Sequence, residues 1–128
     1  IATAAGLRYR STPMMARWQV VNRLAIEELE AWFFGDWDAV RAAYPYASAT
    51  VPRQARYRDP DAIAGGTWEA MERVLQRAGY FRAGLRKVEA ARSIAAHWVP
   101  SRNSSRSFQK LMDCLGELTC PMVPLQKE

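Results

Sequence analysis

The chain has little of what catalysis and metal binding draw on: one histidine, His97, and two cysteines, Cys114 and Cys120, in 128 residues. His97 falls on a predicted helix with no acid near it in sequence, so it reads as a structural or exposed histidine rather than a base or ligand. Cys114 and Cys120 are separated by five residues, which is neither a Cys-x-x-Cys redox or zinc pair nor a twin-cysteine spacing. A reduced compartment is the simpler reading. No apolar window of about 18 residues exists, so no transmembrane helix is expected. Acids are missing from Ile1 to Ile26, where Arg8, Arg10, Arg17 and Arg23 are spread among Ser, Thr and Ala. That lead-in reads as the remnant or flank of an organellar transit segment, in a chain that is processed or incomplete at its start.

Lysine is also scarce: Lys87, Lys110 and Lys127 stand against 15 arginines within a net charge of +5. Guanidinium forks suit carboxylates and phosphates, so the balance points to an acidic protein surface, nucleic acid or anionic lipid, or else reflects coding bias alone. What the chain has in quantity is rings. Five Trp, five Tyr and four Phe are many for one small domain, and some of them are expected at an interface. The size allows one domain with a modest core and no more.

An irregular arm over residues 1–12 is expected to precede a single helical domain over 13–128. Thr12 as N-cap, Pro13 at the first helical position and Gly35 just past the end punctuate a long first helix, with Met14, Trp18, Val21, Ala25, Leu29 and Trp32 as its apolar stripe. Asp36 then caps a short second helix through Trp37, Val40 and Ala43, ended by Pro45. Pro45, Pro52 and Pro60 predict an extended connector over 46–66 carrying Arg53, Arg56 and Arg58, a partner-binding arm by its length. Thr67 is placed to cap a third helix, with Glu69 and Glu72 in its first turns. Gly79 interrupts the pattern before Phe81, Leu85, Val88, Ala91, Ile94 and Trp98 resume it, either as a second helix or beyond a kink. A polar turn over 101–107 leads to a last stripe of Phe108, Leu111, Met112, Leu115 and Leu118. No period-two strand is visible, so the fold class is all-α, with four or five amphipathic helices, extended connectors and terminal arms.

No constellation rises to chemistry. Glu27, Glu28 and Glu30 read as a solvated helix face pairing locally with Arg23. Gly65-Gly66-Thr67 lacks the lysine and spacing of a phosphate loop and reads as a turn and helix start. The densest positive region is Arg73, Arg77, Arg82, Arg86, Lys87 and Arg92. Arg73 with Arg77, and Arg82 with Arg86, fall at i, i+4, where like charges on one helix face repel. Either they form a solvated face balanced by Glu69, Glu72 and Glu89, or something anionic lies opposite, nucleic acid included.

In order, the middle of the chain resembles the 14 kDa matrix-side subunit family of mitochondrial respiratory complex III, the ubiquinol-cytochrome c reductase binding proteins. The matching residues are Ala55-Arg56-Tyr57-Arg58-Asp59-Pro60-Asp61, then Glu69-Ala70-Met71-Glu72-Arg73-Val74-Leu75, then Arg82, Arg86, Lys87, Ser93, His97 and Val99-Pro100. The family's Gly-Leu is Ala55-Arg56 here, the second Asp of its acidic pair is Pro60, and its closing Leu-Pro is Leu75-Gln76.

The resemblance implies a non-catalytic accessory subunit without cofactor, peripheral on the matrix side of the mitochondrial inner membrane. It would brace cytochrome b and the core subunits and support assembly for electron transport. Arg58, Arg73, Arg77, Arg82, Arg86 and Lys87 would contact partners, and Trp18, Trp32 and Trp37 would anchor at an interface, with peripheral contact to anionic lipid. The rival expectations are an accessory subunit of complex I or ATP synthase, and a mitochondrial ribosomal protein binding rRNA.

Overall fold

A computed structural model describes residues 28–119. The expected Thr12 cap, the stripe from Met14 to Ala25, Trp18, Glu27 and Cys120 lie outside the described residues. The rest is all-α, with no strand among the described residues and no helix there that is long and apolar enough to cross a membrane. The helices are α1 (Glu30–Gly35), α2 (Trp37–Ala43), α3 (Thr67–Arg77), α4 (Lys87–Ala95) and α5 (Arg106–Thr119).

Asp36 makes the α1–α2 corner. Its backbone leaves the helical region, its N–H donates to the Phe33 carbonyl, and its carboxylate accepts from Ala39 N–H as the expected cap of α2. Helices of six and seven residues are too short to persist alone, so burial must hold them. The corner turns Phe33, Phe34, Trp37 and Val40 into the core. Gly35 does more there than end a helix, because a Cβ on it would strike the Asn103 side chain and crowd the Ser105 N–H.

The connector over 46–66 is not extended. It folds into three successive 3-10 turns, Val51–Arg53, Ala55–Tyr57 and Pro60–Ala62. Pro52 and Pro60 stand in first-turn positions, where a missing N–H costs nothing and a fixed φ suits the helix. The turns send Val51, Tyr57, Pro60 and Ile63 inward. Tyr57 stacks on Phe34 at 5.3 Å and Phe34 on Trp37 at 5.5 Å, ring pairs worth about 0.5–1.5 kcal/mol each beyond burial. The segment is therefore a wall of the core and not a free arm.

At the start of α3, Thr67 is not the cap. Gly66 is, at φ 89°, and Glu28 supplies the missing acceptor by receiving Trp68 N–H at 2.9 Å and the Thr67 hydroxyl at 3.2 Å. The far end closes on Gly79, at φ 91°, with Gly79 N–H donating to Gln76 and Tyr80 N–H to Leu75, the paired bonds of a glycine-terminated helix. The Gly79 break is thus where the sequence pattern puts it.

Residues 80–86 form a loop rather than helix. Tyr80 and Phe81 fold back so that their rings meet Tyr44 edge-on at 4.9 and 5.5 Å. Phe81 and Gly84 take positive φ, and the Glu72 carboxylate accepts Leu85 N–H at 2.7 Å. Helix α4 is consequently short, and His97 lies exposed in the turn beyond it. Trp98 comes back to stack on Phe108 at 5.0 Å and to meet Phe33 at 5.7 Å, tying α4 and α5 to α1.

Candidate functional site

Two polar systems occupy opposite roles. The first is internal. Asp36, 1% exposed, accepts from Val99 N–H at 2.9 Å and from both Nε and Nη2 of Arg102 at 2.7 and 3.1 Å. Those bonds raise the Arg102 guanidinium above its usual range. Asp61 accepts from the Ser105 hydroxyl at 2.8 Å and from the Ser107 N–H and hydroxyl at 3.0 and 2.9 Å. Asn103 bridges the two clusters by donating to the Trp32 carbonyl at 2.8 Å and accepting Ser105 N–H at 2.9 Å. Most of these bonds join distant parts of the chain, so this network is a fastening.

Further carboxylates are similarly engaged. Glu28 caps α3, Glu72 holds the loop before α4, and Glu30, buried at the start of α1, lies 3.9 Å from Lys87 Nζ. The expectation that Glu28 and Glu30 form a solvated face is overturned, because they meet partners some 39 to 57 residues away in sequence. Glu89 pairs with Arg86, whose hydrogen bond holds its carboxyl below the ordinary value. No group of three or more His, Cys, Asp or Glu among the described residues is placed to hold a metal ion.

The second system is external. Arg73 and Arg77 share a face of α3, as the i, i+4 spacing requires, and Arg82 stands in the following loop. All three are exposed, as is Arg92 on α4, and none forms an ion pair with a described residue. Arg53, Arg56 and Arg58 line the outside of the 3-10 turns; Arg58 donates to the Arg53 carbonyl at 3.3 Å, and Arg56 lies 5.8 Å over the ring of Tyr57. The expected stacking of Arg82 with Arg86 on one helix does not occur, because both precede α4 in the loop.

Several predicted contact residues already have partners within the chain, Arg86 and Lys87 while remaining exposed and Trp37 and Trp32 by burial. Arg86 is tied to Glu89 and lies 5.2 Å over the Phe81 ring, and Lys87 sits 4.5 Å over Trp68 beside Glu30. Trp37, expected as an interface anchor, is a core residue whose indole donates to the Ser48 carbonyl at 2.8 Å. Trp32 is part-buried, bonded to the Ser107 hydroxyl at 2.8 Å and edge-on to Phe108 at 5.4 Å. A long-range partner for each ring is what the sequence does not display.

One exposed ring escapes sequence reasoning: Tyr46, 81% exposed, stacked on Tyr80 at 6.2 Å. Its only signal is Pro45, which stops α2 and leaves the next side chain outside the core. Tyr46 borders a cleft of about 120 Å³ between the first two 3-10 turns and the end of α3, walled by Val51, Tyr57, Val74 and Ala78, with Ser48, Gln54 and Arg77 as its polar groups. No acid lines it.

The family model described as Domain of unknown function (DUF4276) matches residues 1–116, so the chain belongs to that family. No curated protein and no solved structure matches it.

Proposed function

We propose, taking membership of the DUF4276 family as the premise, that this chain is a non-catalytic docking domain which seats its arginine face on an acidic surface of a larger assembly. The observation that carries the reading is the unequal use of charge. Carboxylates at Glu28, Asp36, Asp61 and Glu72 are spent on donors within the fold and Glu89 on Arg86 at the surface, whereas Arg73, Arg77, Arg82 and Arg92 face outward without a described acid. A guanidinium in water gains little by itself, but brought against carboxylates with water excluded it forms short, paired hydrogen bonds. The same commitment of the acids to structural donors leaves them ill placed for acid-base work.

The finer form of the proposal is the accessory subunit of respiratory complex III, on the matrix side of cytochrome b. Its support is the order of motifs: Glu69 to Leu75 falls within α3, Ser93 within α4, and His97 and Val99-Pro100 at the turn after it. Purification of the native protein under mild detergent tests both levels. Cosedimentation with haem b supports the finer form; cosedimentation with an ATPase or another respiratory complex replaces it while keeping the docking role. Cosedimentation with ribosomal RNA in place of any protein partner overturns both. In the assembled state, Arg77→Glu with Arg82→Glu should lower the yield of complex without unfolding the chain, and an undiminished yield would count against the arginine face.

A further inference from the structure

The cleft beside Tyr46 is the place on the arginine surface where charge, an exposed ring and a hollow coincide. We infer that it is a pocket for one aliphatic side chain of an acidic peptide segment in the partner, with Arg77 clasping a carboxylate next to that side chain. The inference rests on the docking role proposed above and deepens it by naming the contact.

Size comes first. A hollow of about 120 Å³ accepts a leucine-sized group and is too small to enclose an aromatic nucleobase with its sugar. Its walls are the right kind: Val51, Val74 and Ala78 supply aliphatic surface, and the Tyr57 ring closes one side. Val51 on the first 3-10 turn, Gln54 between the turns and Tyr57 at the end of the second line one bank together. On the opposite bank Val74, Arg77 and Ala78 stand at the end of α3.

Charge then selects the ligand. Arg77 lies in the lining and Arg73 one turn earlier on the same helix, and Arg53 and Arg56 flank the other bank, all exposed and none in an ion pair with a described residue. An inserted side chain flanked by carboxylates would meet aliphatic walls below and guanidinium forks above, the pairing of a buried anchor with a charged rim that concentrates binding energy in few residues. Tyr46 is held over the edge by its stack on Tyr80, and Tyr46 N–H is bonded to the Tyr80 hydroxyl at 3.3 Å. The stack on Tyr80 leaves the Tyr46 ring less rotamer freedom to lose on binding.

The test is fluorescence anisotropy of the full chain with a short fluorescein-labelled peptide that holds one leucine among glutamates. The controls are the same peptide with glycine for the leucine, with glutamines for the glutamates, and a labelled oligothymidylate. The wild-type chain should prefer the parent peptide over both peptide controls. Arg77→Glu should weaken that binding by about tenfold or more and Tyr46→Ala by about fivefold, as expected for rim cation and anchor, with far-UV circular dichroism unchanged.

If binding is indifferent to the leucine and to Arg77→Glu but falls with Arg82→Glu and Arg92→Glu, the cleft inference fails and the arginine-face reading stands. If no anionic probe binds, both fail. If oligothymidylate binds more tightly than the peptide and competes with it, the partner is nucleic acid and the peptide pocket is overturned.

Discussion

Arg102 and Arg77 are the same residue type on the same small domain, and they stand in opposite situations. Arg102 reaches across 66 residues to a carboxylate that is wholly shielded from water, and it helps lock the α1–α2 corner to the segment before α5. Arg77 ends α3 beside a hollow with no acid in its lining. A buried carboxylate must be matched inside the fold because desolvation would otherwise be ruinous; an exposed cation has no such need and is kept for contacts that the fold does not make. The contrast separates arginines that hold the structure from arginines that are available to a partner.

Breaking the internal side should have the largest effect. Asp36→Ala removes the acceptor of Ala39 N–H, Val99 N–H and the Arg102 fork, and in urea unfolding should cost about 1–3 kcal/mol for each backbone N–H left without an acceptor. Gly35→Ala comes next. A methyl there runs into Asn103 and the backbone of Ser105, and overpacking of this kind costs about 1–3 kcal/mol; the same measurement checks it, and relief by Asn103→Ala would locate the clash.

On the external side, Arg82→Ala and Arg92→Ala should each leave stability within about 0.5 kcal/mol, as for exposed substitutions without structural partners. A larger loss would show that these arginines serve the fold after all. The smallest effect is expected from pH. The hydrogen bond from Arg86 sets the Glu89 carboxyl below its ordinary value of 4.5. A depressed carboxylate contributes stability above its unfolded value and loses it as pH falls through the folded one. The pair is fully exposed, so the wild type and Glu89→Gln should show only a slight divergence in Tm above pH 4.5 that closes in more acid solution.

Local features were legible in the sequence. The Asp36 cap of α2, the Gly79 close of α3 and the helix from Phe108 onward each depend on residues within one or two turns, and each is present, whereas α4 stops at Ala95, short of the expected end at Pro100. Turn chemistry that depends on distant contacts was not. The prolines of the connector signalled a break from α-helix, but 3-10 turns satisfy proline as well as an extended chain does, and it is the Phe34 and Trp37 stack that draws Tyr57 inward. The apolar positions from Phe81 to Leu85 match a helical period, yet Tyr44 captures Tyr80 and Phe81 and two glycines permit the loop.

The candidate surface divides in the same way. The arginine excess and the α3 pair of Arg73 and Arg77 can be read from the sequence because a helix places i and i+4 side by side. Which of the cations remain available depends on Glu28, Glu30, Glu72 and Glu89, whose partners are chosen by packing.

By itself, then, the sequence determined an all-α chain with its helix ends at Asp36 and Gly79 and its basic balance, since these depend on residue type and short-range spacing. Only the tertiary structure decided that Trp37 is core, that Tyr46 is surface, that Asp36 and Asp61 are fastenings and that a cleft opens beside Arg77. Burial and hydrogen-bond partners are properties of residues brought together from far apart, and no periodicity along the chain encodes them.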